Sequence, residues 1–382
     1  MKQPISRRDW FKSTLALTAG MTITPALVNT LMAWPISEAE RVFFSERKLV
    51  GTKVRLNSNE NPYGPSEKAK KAVIQSLTQG NRYAFAELGE LQKIIADKEG
   101  VDSSYILLGA GSGELLCQTG IAYGLDGGRV LSAYPTFPLL MNYAEQMNAK
   151  WDRVDLNEKL EFDYEKLLSA IQKDTKLVFG CNPNNPTGTV VDSQVVKSFC
   201  EEASKKTLVY ADEAYIEFLE PAQQKSMVEL VQRIPNLIVS KTFSKIYGLA
   251  GLRIGYIVAH PDVLKKVSKY GDTISPSQTA IAAAKASLGD EDFMKMTREK
   301  NAIARKVLTD YLIQKKIFHS KSQTNVLLFP APVDGKTILS KLEDKGFLIR
   351  VWDYKQKEWC RVSIGTVDEM KAFVKAFDEV IA

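Results

Sequence analysis

SKTFSKIYGLAGLRIGY, residues 240–256, packs two lysines, three Ser/Thr hydroxyls, three glycines and one arginine into seventeen positions. Lys241 and Lys245 stand four apart in a segment that is otherwise mostly apolar. A lysine at a strand-to-loop junction beside small residues loses water. Desolvation and neighbouring cations then depress its pKa and make the neutral amine a nucleophile. Arg253, eight positions beyond Lys245, can reach an anion held beside that amine. The stretch alone does not say which lysine matters.

Working outward, short β-rich apolar runs alternate with amphipathic segments after about residue 50. Helices are expected over 67–79, 87–98, 114–123, 137–147, 164–172 and 193–205. Strands are expected over 105–108, 130–132, 177–179, 208–210, 237–239 and 254–258. This alternation implies an α/β layer with a largely parallel sheet. From Pro276 the texture changes. A charged helical stretch over 290–315 leads to NVLLF, a helix near 336–345, FLIRV, CRVSIG and a last helix, which reads as a separate α+β lobe. The expected division is a leader over 1–33, an arm over 34–60 joining the small domain, a large domain over 61–274 and a small domain over 275–382.

Ligands of open α/β sheets collect beyond the carboxyl ends of the strands. The segments that follow the expected strands are GAGSGE, YPTF, NPNNPTG, DEAY and KTFSK, all polar or small. Gly109, Gly111 and Gly113 permit close backbone approach, and Ser112 can cap a helix whose free amides suit a phosphate. A tight turn explains the glycines equally well. Asp212, at the end of a buried strand, needs a partner, either a protonated ring nitrogen or a structural arginine. Phe137 is a stacking face or core, and Asn185 an amide donor or a simple Asn-Pro turn. A phosphate cradle, a carboxylate, an aromatic face, an amide and an activated lysine together match what pyridoxal 5′-phosphate requires.

With LNSNENPYGPS, NRYAF, GAGSGELL, YPTF, NPNNPTG, DEAYIEF, SKTFSKIYGLAGLRIGY and WCRVSIGT in this order, the sequence from about Lys53 onward resembles the class I/II aminotransferases of fold type I. Within them it is most similar to the histidinol-phosphate aminotransferases. The resemblance implies a large domain with a mostly parallel seven-stranded sheet flanked by helices, plus a smaller α+β domain. It selects Lys245 as the Schiff-base lysine and leaves Lys241 structural or solvent-facing. It assigns Asp212 to the pyridinium nitrogen and Tyr215 and Asn185 to the ring's phenolic oxygen, with Phe137 stacking on the ring. Ser112, Gly113, Thr242, Ser244 and Arg253 become phosphate ligands. Tyr83 corresponds to a tyrosine that reaches the neighbouring subunit's cofactor, which implies a homodimer. Arg361 matches the clamp on the α-carboxylate, and Arg350 a second anion clamp with Tyr63 nearby.

The reaction so implied is ping-pong transamination between an amino donor and a keto-acid acceptor, one carrying an anionic group. VWDYKQKEW departs from what is expected after Arg350, and its three aromatics are expected to reshape the pocket. A decarboxylase or lyase on the same scaffold shares Lys245, Asp212 and Arg253. A non-catalytic binding protein is disfavoured, since every position of the motifs holds a chemically competent residue.

Composition narrows the field further. The 382 residues are 45% hydrophobic and 25% charged, with a net charge of +6 spread along the chain. No basic block interleaved with aromatics suggests a nucleic-acid face. Four cysteines without paired spacing and two histidines, His260 and His319, argue against a metal site. The N-terminus carries Lys2, Arg7 and Arg8, then an uncharged run over 15–31, and SRRDWFK resembles a twin-arginine export signal. The expectation is a protein exported by that machinery to the periplasm, or anchored by the leader, and cytoplasmic if the leader does not function. The other reading of this segment is an amphipathic arm packed on a partner subunit.

Overall fold

The structure, a computed structural model, describes residues 53–271 and 275–382. The expected leader and most of the arm lie outside the described residues. Strand β1 (Val54–Arg55) opens the described chain, followed by helices α1 (Glu67–Ser76) and α2 (Phe85–Glu99). Ser66 caps α1 by accepting from the Ala69 N–H, and Gly100, at φ 71°, ends α2 in the left-handed region.

A seven-stranded sheet follows, as expected. Its strands are β2 (Ile106–Gly109), β3 (Arg129–Tyr134), β4 (Lys150–Asp155), β5 (Thr175–Cys181), β6 (Leu208–Asp212), β7 (Leu237–Thr242) and β8 (Gly255–Ala259). They lie in the order β2-β8-β7-β6-β5-β3-β4, and only β8 runs antiparallel to its neighbours. Every residue of β6 and β7 is buried, because helices cover both faces of a parallel sheet and the strands read as continuous apolar runs. The crossovers supply α3 (Ser112–Gly124), α4 (Leu139–Gln146), α5 (Tyr164–Ser169) and α6 (Ser193–Ala203), and α7 (Pro261–Ser268) follows β8. Strand β4 was not anticipated. It is an edge strand, KWDRVD, whose charges face water and hide its periodicity.

The smaller lobe has an antiparallel sheet ordered β11-β12-β9, from β9 (Val326–Pro330), β11 (Arg350–Tyr354) and β12 (Lys357–Ser363). Strand β10 (Phe347–Leu348) pairs instead in parallel with β1, so residues 54–56 belong with this lobe. Helices α8 (Gln278–Leu288), α9 (Glu291–Gln314), α10 (Gly335–Asp344) and α11 (Val367–Ile381) complete the chain. A reciprocal Thr366–Glu369 box caps α11.

The change of texture at Pro276 is not the boundary between the two cores. Ala280, Ile281, Ala283 and Ala284 of α8 pack into the larger core, as does Met294 early in α9. The same helix then delivers Ala304, Leu308 and Leu312 to the smaller core, so the hand-over occurs within one continuous rod. Among the described residues no helix is long and apolar enough to cross a membrane.

Candidate active site

Strands β3, β5, β6 and β7 are parallel, so their carboxyl ends share one edge of the sheet. The loops beyond that edge enclose a cavity of about 320 Å³. Phe137, Asn185, Asp212, Tyr215, Thr242, Ser244, Lys245 and Arg253 all line it, together with Ser112 and Gly113 from the start of α3. Two loops are held in register by a residue the motifs did not single out. Buried Asn184 accepts a hydrogen bond from Thr136 Oγ1 at 2.9 Å and donates to the Pro135 carbonyl at 3.1 Å, which fixes the Phe137 loop to the Asn185 loop.

The two lysines part company here. Lys241 lies on β7 and is buried, with Nζ 2.9 Å from Glu99 Oε2 and 3.9 Å from Glu213 Oε2. Burial alone lowers its pKa, but Glu99, Glu213 and Glu217 outweigh it and hold the ammonium above its ordinary value. It is structural and not solvent-facing. Lys245 lies just past β7 and among the described residues finds only carbonyls, Asn59 O at 3.3 Å and Ser58 O at 3.5 Å. Burial, reinforced by Arg361, brings its pKa down to about 8. Its Nζ stands 5.5 Å from the centre of the Tyr215 ring.

Asp212 ends β6. Both hydrogen bonds that its carboxylate receives among the described residues, from Ser240 Oγ at 2.9 Å and the Ala214 N–H at 3.1 Å, fall on Oδ1. Burial pushes its carboxyl up to about 6 despite those bonds and the nearby Lys245. Burial likewise raises the Tyr215 phenol, against the opposing pull of Asn59 and Arg361. Asn185 Oδ1 accepts from Arg361 Nη1 at 3.2 Å.

At the other end of the cavity, α3 begins after Gly111, whose φ of 81° favours glycine and whose side offers no cap to the first amides. A Cβ at Gly111 would run into the Arg253 guanidinium. Arg253 itself sits at φ 56°, with Nη1 donating to the Ala250 carbonyl at 2.8 Å and Nη2 to the Ala110 carbonyl at 3.3 Å. The Ser244 N–H donates to Thr242 Oγ1 at 3.1 Å, folding that turn beneath the same space.

The smaller lobe contributes two more cations, Arg361 from β12 and Arg350 from β11. Arg361 is buried, its Nη2 donates to the Asn57 carbonyl, and its Nε has no partner among the described residues. Burial, with Arg350 close by, brings even this guanidinium down to about 10. The cavity wall thus carries Lys245, Arg253, Arg350 and Arg361 against Asp212 and Glu60, and Glu60 is already paired with Arg55 at 2.7 Å.

Some expected residues fall elsewhere. Tyr63 is not among those lining the cavity. Asn61 pins its turn by accepting the Tyr63 N–H at 3.0 Å, and the ring lies 5.0 Å from Lys300 Nζ. Tyr83 is 75% exposed and lines a separate opening that shares Arg253. The aromatics of the 351–359 hairpin do not reshape the pocket. Tyr354 and Trp359 are buried in the larger core, with Tyr354 edge-on to Tyr134, so they join the lobes. Asn59 and Glu60, which do line the cavity, were missed as individuals. Three asparagines at positions 57, 59 and 61 were the available signal.

A family profile described as aminotransferase class I and II matches residues 51–377. The chain belongs to this family. Histidinol-phosphate aminotransferase 1 of Cupriavidus pinatubonensis is 34% identical over 351 residues, 91% of this chain and 92% of that one. Histidinol-phosphate aminotransferase 2 of Ralstonia nicotianae is 33% identical over 372 residues, 96% and 98% of the two chains. The crystal structure of the Sinorhizobium meliloti histidinol-phosphate aminotransferase in complex with pyridoxal-5′-phosphate superposes with a TM-score of 0.80 at 26% identity, covering 96% of this chain and 99% of that one. The protein is a pyridoxal-phosphate-dependent aminotransferase of fold type I.

The cavity of this aminotransferase fits the cofactor on its own terms. A phosphate would meet the uncapped amides of α3 and the Arg253 guanidinium, where a side chain at Gly111 would collide. A protonated ring nitrogen would give Asp212 the paired cation it lacks among the described residues. The phenolic oxygen would face Tyr215 and Asn185, with Phe137 on the wall and the depressed amine of Lys245 beside the aldehyde.

Proposed function

We propose that this aminotransferase exchanges an amino group between an amine that carries a distal anion, of the histidinol-phosphate kind, and a 2-keto acid. One observation carries the reading. Arg361 and Arg350 face the same cavity as Lys245, and among the described residues neither is ion-paired with a carboxylate. A buried cation without a partner is costly and is balanced by an incoming anion. Arg361, with its orphaned Nε, takes the carboxylate of the amino or keto acid, and exposed Arg350 takes the distal anion.

When bound, the cofactor supplies an electron sink that stabilises the carbanion formed at the substrate's α-carbon. The protein's part is positioning and proton movement. Lys245 Nζ, lowered to about 8, is a neutral base in roughly a tenth of molecules at pH 7 and moves the α-proton between carbon atoms. Asp212 remains an anion opposite the ring nitrogen and keeps it protonated. In the half-reaction of the amino or keto acid, Arg361 fixes the substrate carboxylate and so selects which bond at the α-carbon stands across the ring plane.

The test is a panel of amino donors mixed with holoenzyme, read by absorbance and by chromatography of the released cofactor. Conversion of the cofactor to its aminated form by an anionic amine supports the reading. Stoichiometric carbon dioxide without aminated cofactor replaces it with decarboxylation.

Two further proposals concern assembly and location. Exposed Ile74, Leu77, Tyr83 and Phe85 favour a homodimer in which Tyr83 reaches the partner's site, and sedimentation of wild type and Tyr83→Ala tests it. The leader favours twin-arginine export, which cell fractionation with and without residues 1–33 tests.

A further inference from the structure

We infer that Asn59 and Ser363 form an orientation lock that fixes the direction in which Tyr215 and Asn185 present their protons to the cofactor ring. Both are positioning residues, and the inference rests on the cofactor assignment above.

Asn59 is 2% exposed and sits at φ 53°, a left-handed conformation that asparagine tolerates better than other side chains. Its N–H donates to Ser363 Oγ at 2.7 Å. Ser363 Oγ then has a single proton to give, and gives it to Asn59 Oδ1 at 2.9 Å. That bond tells one end of the amide from the other. The opposite end, Nδ2, is left to donate to Tyr215 Oη at 2.9 Å and to Asn185 Oδ1 at 3.3 Å.

The consequence follows from donor and acceptor counting. An amide NH2 can only donate, so Tyr215 accepts on that side and must direct its own proton elsewhere. Among the described residues the phenol has no other hydrogen-bond partner, and Tyr215 lines the cavity. Asn185 Oδ1 already receives Arg361 Nη1, so both of its protein neighbours are donors and its own NH2 is turned to the cavity. Two proton donors are thereby aimed where a ring oxygen would sit. The Asn59 carbonyl also faces Lys245 Nζ at 3.3 Å and is steadied by Asn325 Nδ2 at 3.1 Å.

The lock crosses the lobe boundary. Ser363 and Arg361 are two apart on β12 and share one face of that strand, whereas Tyr215 and Asn185 come from the large lobe. The substrate clamp and the polarity of the ring's donors are therefore set by the same piece of strand.

The test titrates, against pH, the absorbance of the lysine-bound cofactor in holoenzyme. A donor onto the ring oxygen favours its more negative state and holds the titration midpoint down. Ser363→Ala and Asn59→Ala are each expected to raise the midpoint by roughly half to one pH unit. Tyr215→Phe raises it at least as far, and adding Asn59→Ala to Tyr215→Phe adds little further shift, because Asn59 acts mainly through Tyr215. Full additivity of those two changes overturns the inference. So do unshifted midpoints in Ser363→Ala and Asn59→Ala, including the case where melting of the apoprotein falls while the midpoint stays put. Wild type without lysine-bound absorbance overturns the cofactor assignment itself, and is told apart because no midpoint then exists to compare.

Discussion

Lys241 and Lys245 are four residues apart and have opposite fates. Lys241 is closed into a buried ion pair with Glu99, which also accepts a hydrogen bond from Tyr256 Oη at 2.7 Å. Lys245 is enclosed nearly as deeply but is given carbonyl oxygens and a guanidinium for company. One charge is satisfied by the fold, so its pKa rises. The other is left unsatisfied, and its pKa falls into the range where an amine can react. Burial is common to both. What separates a structural lysine from a reactive one is the presence of a carboxylate in contact.

The contrast can be broken most forcefully at Lys245. Lys245→Ala is expected to remove the lysine-bound absorbance and cut turnover by roughly four orders of magnitude. Lys241→Ala should keep that absorbance in whatever fraction folds, and equal loss in both would erase the distinction. Next in size, Lys241→Met leaves Glu99 buried without its cation and should lower stability by about 3–5 kcal/mol in urea titration of the apoprotein.

Asp212→Asn sharpens the comparison from the acidic side. The Asp212 carboxyl is raised from an ordinary 3.8 to about 6, so its ionisation opposes folding. The cost is absent below the unfolded value, grows as pH rises through the interval, and is complete above about 6. The apoprotein of Asp212→Asn should therefore be more stable than wild type at pH 8 by about 3 kcal/mol, with the difference vanishing below roughly pH 4. Transamination falls in the same variant. A wild-type apoprotein more stable than the variant at pH 8 would contradict the carboxylate's unpaired status. The smallest effect is expected for Arg361→Gln, which removes the main cation acting on Lys245. Its amine midpoint should rise by less than about one unit, measured by the pH dependence of labelling with an amine-directed reagent in the apoprotein.

Much of this was legible in the linear order. Lys245, Asp212 and Asn185 end or follow strands that a parallel sheet must align, so their convergence could be read from the segments after each apolar run, whereas Arg253 reaches the same edge because it precedes the antiparallel β8. What escaped depends on distant partners. Glu99 sits 142 positions before Lys241, and nothing local marks it as the residue that quiets that lysine. Strand β4 was hidden by its charges, and α8 by alanines that carry no amphipathic stripe. The hairpin aromatics were assigned to the pocket because proximity to Arg350 in sequence was taken for proximity in space. Tyr354 and Trp359 share the hairpin face of Arg350 and Arg361, but they lie farther toward its turn, where Tyr354 packs edge-on to Tyr134 of the larger core.

One bond described above has a temporal meaning. Asn59 and Ser363 meet across 304 positions of chain. During translation Lys245 emerges well before residue 363 exists, so the growing polypeptide has its reactive amine without the wall that orders the surroundings. Firm capture of the vitamin-derived group belongs to the finished molecule, and a copy truncated before β12 is complete would be born unable to keep it.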